Sequence, residues 1–303
     1  MNKVKTIKKL AITFVGITLL LLLGKVLFRQ QKEKALLLAP ETAGKAAKIE
    51  FQIENSSFTL ARKDAKWHLV YPFKYPTNSH KVDDILSKVQ RASVNRKLTR
   101  RKGKYNLFGL LEPTILKIWA KNGKVLSTLK FGDEGPFEKT IFVLKSGDEW
   151  VRQAEGISKY ELPENLQDII YKRVFPPLND IFEIKIKHGK KSLKLFRKEK
   201  TWLVQNVKIP EPNVKKLVEP LINSLLSLEA DEVMMAKPQI KKVKETFNIT
   251  VGYAKDQQIT LRAKKGKDGP FEAMVSNRPQ TLLKISSWKF NPFKKTKNNF
   301  LSR

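Results

Sequence analysis

Two landmarks in this chain recur at nearly one offset. Gly135-Pro136-Phe137-Glu138 returns as Gly269-Pro270-Phe271-Glu272, and Trp67 returns as Trp202, the two offsets agreeing to within a single position. That spacing is far too long for a short-period solenoid and has the length of a whole domain. The chain therefore reads as a tandem duplication of one unit. Its 303 residues suffice for two such units and an appendage.

The element pattern repeats along with the landmarks. Ile49, Phe51 and Ile53 alternate by two, and Phe58, Leu60, Trp67, Leu69 and Tyr71 continue that period across polar turns, which predicts a three-stranded meander. Val82, Ile85, Leu86 and Val89 then share one helical face. Asn122-Gly123 between alternating runs predicts a hairpin. Strands are expected at 141–144 and 150–153, and a short helix at 163–171 that starts with proline. The second half repeats the order: strands at 181–186, 193–196 and 202–205, then a helix with Val214, Leu217, Val218, Leu221, Ile222 and Leu225 on one stripe, then further strands. Pro220 sits inside that stripe and should kink it. A mostly antiparallel sheet with one helix covering it in each half is an α+β arrangement.

Leu10 to Gly24 is an unbroken apolar run, and Val26 to Phe28 extend it past Lys25. At 1.5 Å per residue, about 19 residues reach roughly 28 Å, the depth of a bilayer core. Lys3, Lys5, Lys8 and Lys9 precede it, and Lys25, Arg29, Lys32 and Lys34 follow in place of an Ala-x-Ala site. The expectation is a transmembrane signal anchor, with a cleaved signal peptide as the alternative. The expected organisation is a cytoplasmic N-terminus and anchor over 1–28, a stalk over 29–47, repeats over 48–179 and 180–287, and a basic aromatic tail over 288–303.

The net charge is +31, with +7 on residues 1–47, +9 on 48–179 and +15 on 180–303. A nucleic-acid binder usually gathers such an excess into one stripe, so nucleic acid is not the expected partner. The densest run is Arg96, Lys97, Arg100, Arg101, Lys102 and Lys104, a candidate for gripping anions such as lipid headgroups. In the tail, Trp288, Phe290 and Phe293 interleave with Lys294 and Lys295, a candidate interface with a membrane or a protein.

Catalytic chemistry finds little support. The chain has no Cys, which excludes disulfides, thiolate metal sites and a cysteine nucleophile. His68, His80 and His188 lack metal-ligand spacing and triad partners. Asp83-Asp84 reads as an acidic first helical turn favoured by the helix dipole. No phosphate-binding glycine loop or nucleophile elbow occurs. No cofactor, metal or catalytic residue is expected. The repeated residues Trp67, Trp202, Gly135, Pro136, Phe137, Gly269, Pro270 and Phe271 read as structural landmarks, with the prolines setting turns and the aromatics packing on the sheets.

Trp67, Pro72, Pro76, the Val82–Val89 helical face, the segment Tyr105-Asn106-Leu107-Phe108-Gly109-Leu110-Leu111-Glu112-Pro113, Lys130-Phe131-Gly132-Asp133 and Val151 together resemble the bacterial family called domain of unknown function 4340. The resemblance covers 48–175 best. It implies an N-terminal membrane segment, tandem copies of the unit, and association with ABC-transporter-type or gliding-motility systems; it implies no catalytic residues. The function expected is that of a non-enzymatic, membrane-anchored, extracytoplasmic binding or accessory protein of an ABC-type envelope assembly. It would sit in the inner membrane with protein partners. A basic-surface binder of nucleic acid, anionic polymer or lipid is the second reading, and an envelope hydrolase using Asp or Glu a remote third.

Overall fold

A computed structural model describes residues 35–236, 246–254, 256–266 and 269–302. It divides into two compact units. Of the described residues, the first holds those up to Lys74 and Ser79–Asn165, and the second holds Tyr75–Asn78 and those from Leu166 on.

The first stretch supplies β1 (Ala35–Leu36), β2 (Ala46–Ile53), β3 (Ser56–Lys63) and β4 (Lys66–Tyr71), then β5 (Tyr75–Pro76). After the Ser79–Arg91 helix come β6 (Ser93–Thr99), β7 (Thr114–Ala120), β8 (Val125–Glu134), β9 (Thr140–Lys145) and β10 (Val151–Glu155). Across the first unit's sheet the order is β1-β6-β10-β9-β8-β7-β2-β3-β4. The second unit has β11 (Glu183–His188), β12 (Lys191–Lys198), β13 (Thr201–Val204), β14 (Val207–Lys208), β15 (Glu232–Met235), β16 (Phe247–Tyr253), β17 (Gln257–Lys265), β18 (Phe271–Val275) and β19 (Thr281–Ile285). Its order is β14-β13-β12-β11-β16-β17-β18-β19-β15.

Read outward from the first meander, the two sheets have one plan. β4-β3-β2-β7-β8-β9-β10-β6 corresponds strand for strand to β13-β12-β11-β16-β17-β18-β19-β15. In each, a three-stranded meander is followed by a helical crossover to the far edge, and a second meander starts beside the first and fills the sheet outward to that edge strand. The crossover has to travel over one face, which is why one helix per unit covers that face. Val82, Ile85, Leu86 and Val89 are buried on the first helix. Val218, Leu221 and Leu225 are buried on the second. Each such side chain gains about 1.5–3 kcal/mol over its exposed state. Pro220 has no N–H for residue 216, and a wide π turn over Val214–Val218 absorbs that defect before the regular helix Glu219–Leu226.

The α+β expectation is corrected. Sheet dominates both units, and the one sizeable helical stretch in each is its crossover, Ser79–Arg91 in the first and Glu211–Leu226 in the second. The helix expected at 163–171 does not form. Three-residue 3₁₀ turns stand at Lys159–Glu161 and Leu166–Asp168 instead. The Ser158/Glu161 capping box is used on the first of these. The following residues pair elsewhere: Asn78 N–H donates to Ile169 O, Tyr171 N–H donates to Pro76 O, and Thr77 bridges Ile170. Backbone groups engaged that way are lost to a helix. Arg278 holds the same segment, donating to the Tyr75 hydroxyl and to the carbonyls of Arg173 and Val174.

For the expected transmembrane helix, no helix among the described residues is long and apolar enough to cross a membrane. The apolar run at 10–28 on which that expectation rested lies outside the described residues. Of the expected stalk, residues 35–47 are folded. Leu37 and Leu38 are buried, and Leu37 N–H donates to Ala92 O.

Candidate binding surface

The basic run lies where the sheet order forces a long connection. β6 is separated from β7 by β10, β9 and β8. At about 4.8 Å per strand the chain must travel roughly 19 Å between them. Residues 100–113 make that passage, half of it as a 3₁₀ helix over Lys102–Phe108. The short helix ends on Gly109, whose φ of 64° is a left-handed cap.

The passage is clamped at one point. A Cβ on Gly132 would lie 1.9 Å from Phe108 O, and one on Gly109 would lie 2.4 Å from Asp133 Cγ. Gly132 therefore lies directly against the Phe108 backbone, and Gly109 against the backbone and side chain of Asp133. The Phe108 ring meets Phe142 edge-on at 4.9 Å. The Tyr105–Pro113 and Lys130–Asp133 motifs, separate in sequence, form one interlocked feature.

On either side of the clamp the surface is basic and then apolar. Arg96, Lys97, Arg100, Arg101, Lys102 and Lys104 are all exposed. Leu107 is 66% and Leu111 72% exposed, while Leu110 between them is buried. Trp150 completes the surface: Lys97 Nζ and Arg100 Cζ lie 5.7 and 5.8 Å from its ring. Lys97 pairs across strands with Arg152, and Asp148 accepts from Arg152 Nε and from Trp150 N–H. Partial burial pulls the Asp148 carboxyl upward, yet the Arg152 and Trp150 hydrogen bonds and the Lys97 charge hold it below its ordinary value. Trp150 and Asp148 had no sequence signal, because they reach the basic run only through the β6–β10 pairing.

A cleft of about 520 Å³ opens on the far side of the same passage, lined by Glu54, Glu112, Glu134, Glu164, Lys159 and Tyr160 among others. Its carboxylates do not converge: among the described residues no group of three or more His, Asp or Glu is placed to hold a metal.

Trp67 and Trp202 are buried at matching positions of β4 and β13, and each pairs with an arginine, Arg62 and Arg197. Asp83 takes part in the first copy only: Trp67 Nε1 donates to it at 2.9 Å, Arg62 donates to the same oxygen, and Arg62 stacks over the Trp67 ring. Asp84 pairs with Lys88. Gly135, Pro136 and Phe137 lie in the β8–β9 turn with Phe137 60% exposed, so its expected packing on the sheet is corrected. Gly269 and Pro270 lead into β18, where Phe271 is buried against Phe247 and Phe290.

The expected interface tail is corrected too. Phe290 and Phe293 are in the core of the second unit, as is Phe300. A 3₁₀ stretch over Ser287–Lys294 folds them inward, and Asp231 anchors it by accepting from Ser286 and Lys289. Trp288, Lys294 and Lys295 remain on its outer side, with Trp288 68% exposed.

Residues 67–248 match a protein family described as Domain of unknown function (DUF4340), more than half of the chain. No curated protein matches it, and no solved structure does.

Proposed function

The chain belongs to the family of domain of unknown function 4340 (DUF4340), and on that premise we propose that it is a non-enzymatic binding protein, an accessory subunit of an envelope transport assembly. The observation that supports this most is the ridge from Arg96 to Leu111. It presents six exposed cations and two exposed leucines on a backbone clamped at Gly109 and Gly132. Fixed, exposed and chemically mixed surfaces of this kind suit recognition. The accessory role extends the resemblance drawn from the sequence to the ridge.

A second reading, a binder of nucleic acid or another anionic polymer, draws on the same cations and the net charge of +31. The two separate by purification. Affinity capture of the full chain from its source cells in mild detergent is expected to recover transporter subunits. Repeated recovery of the chain alone, or with nucleic acid that nuclease removes, overturns the accessory reading.

A further inference from the structure

We propose that the Arg96–Leu111 ridge docks on an anionic lipid surface, with its basic residues on headgroups and Leu107 and Leu111 inserted among the acyl chains. This rests on the reading of the chain as a binding protein and names the ridge's partner.

Two chemistries are paired on one connection. Six cations in nine residues would serve any polyanion. Leu107 and Leu111, 66% and 72% exposed, serve no purpose in gripping phosphates alone. Their neighbour Leu110 is buried, so the same short segment had a core position available and filled it with one leucine of three. Leu107 lies five residues along a 3₁₀ helix from Lys102, within about 10 Å at 2 Å per residue. That places apolar side chains one headgroup's breadth beyond the cations. Trp150 stands beside Lys97 and Arg100, and an amphipathic indole at the edge of a basic patch suits the headgroup level. Cations for anionic headgroups together with exposed leucines and a tryptophan are the components of interfacial binding. A nucleic acid would have used stacking aromatics where the leucines stand.

The chain has no cysteine, so one introduced thiol reports one place. Full-length Leu107→Cys and Leu111→Cys, labelled with an environment-sensitive fluorophore, are mixed with phosphatidylcholine vesicles with and without roughly 30% phosphatidylglycerol. Val207→Cys, an exposed position in the second unit, is the control. Expected is a blue shift at 107 and 111 with the anionic vesicles only, and none at 207. Exchanging Arg96, Arg100, Arg101 and Lys102 for Gln is expected to weaken vesicle affinity by about fivefold per charge, with an unchanged thermal midpoint. Lys97 is kept because it balances Asp148. The proposal is overturned by no shift at 107 and 111, by equal shifts in neutral vesicles or at 207, by indifference to the four exchanges, or by a shift given by single-stranded DNA in place of vesicles. No transporter subunit is present in this experiment, so its failure is distinct from failure of the accessory reading.

Discussion

Gln167 gives both ends of its carboxamide to Val233. Val233 N–H donates to Gln167 Oε1 at 2.9 Å, and Gln167 Nε2 donates to Val233 O at 2.8 Å. Val233 lies in β15, the last strand of the second sheet, whose other side pairs with β19. A side-chain amide thus occupies the edge that another strand would otherwise fill. Open edges are templates for association, and this one is closed at its middle.

Exchanging Gln167 for Leu is expected to cost about 1–2 kcal/mol, since two backbone groups lose their partners. Urea unfolding measures that loss. Light scattering after size exclusion should show concentration-dependent oligomers that the parent chain does not form.

Asp83→Ala is expected to destabilise the first unit by about 1–2 kcal/mol, discounted for partial exposure, because it removes an acceptor shared by Trp67 Nε1 and Arg62. Emission from Trp67 should shift to the red. The second copy offers an internal control. Arg197 pairs with Trp202 as Arg62 does with Trp67, but it makes no ion pair among the described residues. Arg197→Leu should therefore cost less than Arg62→Leu.

Gly132→Ala is expected to cost about 3 kcal/mol, because the new methyl would meet Phe108 O at 1.9 Å and backbone would have to move. Gly123→Ala is the contrast. Its φ of 83° is strained for alanine, but its surroundings are open, so about 1 kcal/mol is expected. Thermal melts of the two variants order them. Equal losses would show that Phe108-Gly109 and Gly132-Asp133 do not interlock.

His188 stacks on Phe247 at 4.0 Å. Burial first, then the charges of Lys294 and Lys191, hold its pKa below the ordinary 6.5. A depressed value means the unfolded chain takes the proton first, so stability is full above pH 6.5 and falls as pH drops from there through the folded value. Urea midpoints of the second unit should decline between pH 7.5 and pH 5.5. His188→Phe should remove that part of the slope.

Much of the sheet was legible because its signals are local. Ile49, Phe51 and Ile53 alternate and are buried, Val82 to Val89 line one helical face, and Asn122-Gly123 makes its turn with Gly123 at a φ of 83°. What the sequence concealed depends on distant partners. Phe290 and Phe293 stand three apart on one side of a 3₁₀ stretch that contains Pro292, too short a pattern to read as an element, so their burial is set by the sheet they meet. The strand ladder contains no hint of Gln167, because one carboxamide capping one residue leaves no pattern. The basic run was readable as charge. Its aromatic companion, Trp150, comes from a remote part of the chain and arrives by strand pairing.

Tyr75–Asn78 belongs to the second unit, although Lys74 and Ser79 on either side belong to the first. No single cut therefore divides this polypeptide into its two halves. A fragment ending at Asn165 carries Pro76 and Thr77 away from Tyr171 and Ile170, and Tyr75 away from Arg278. A fragment beginning at Leu166 leaves those partners empty-handed. The halves share a blueprint without sharing independence. Shuffling one of them alone into another gene would transplant an incomplete domain, so evolution and the experimenter alike have to handle the pair as one heritable piece.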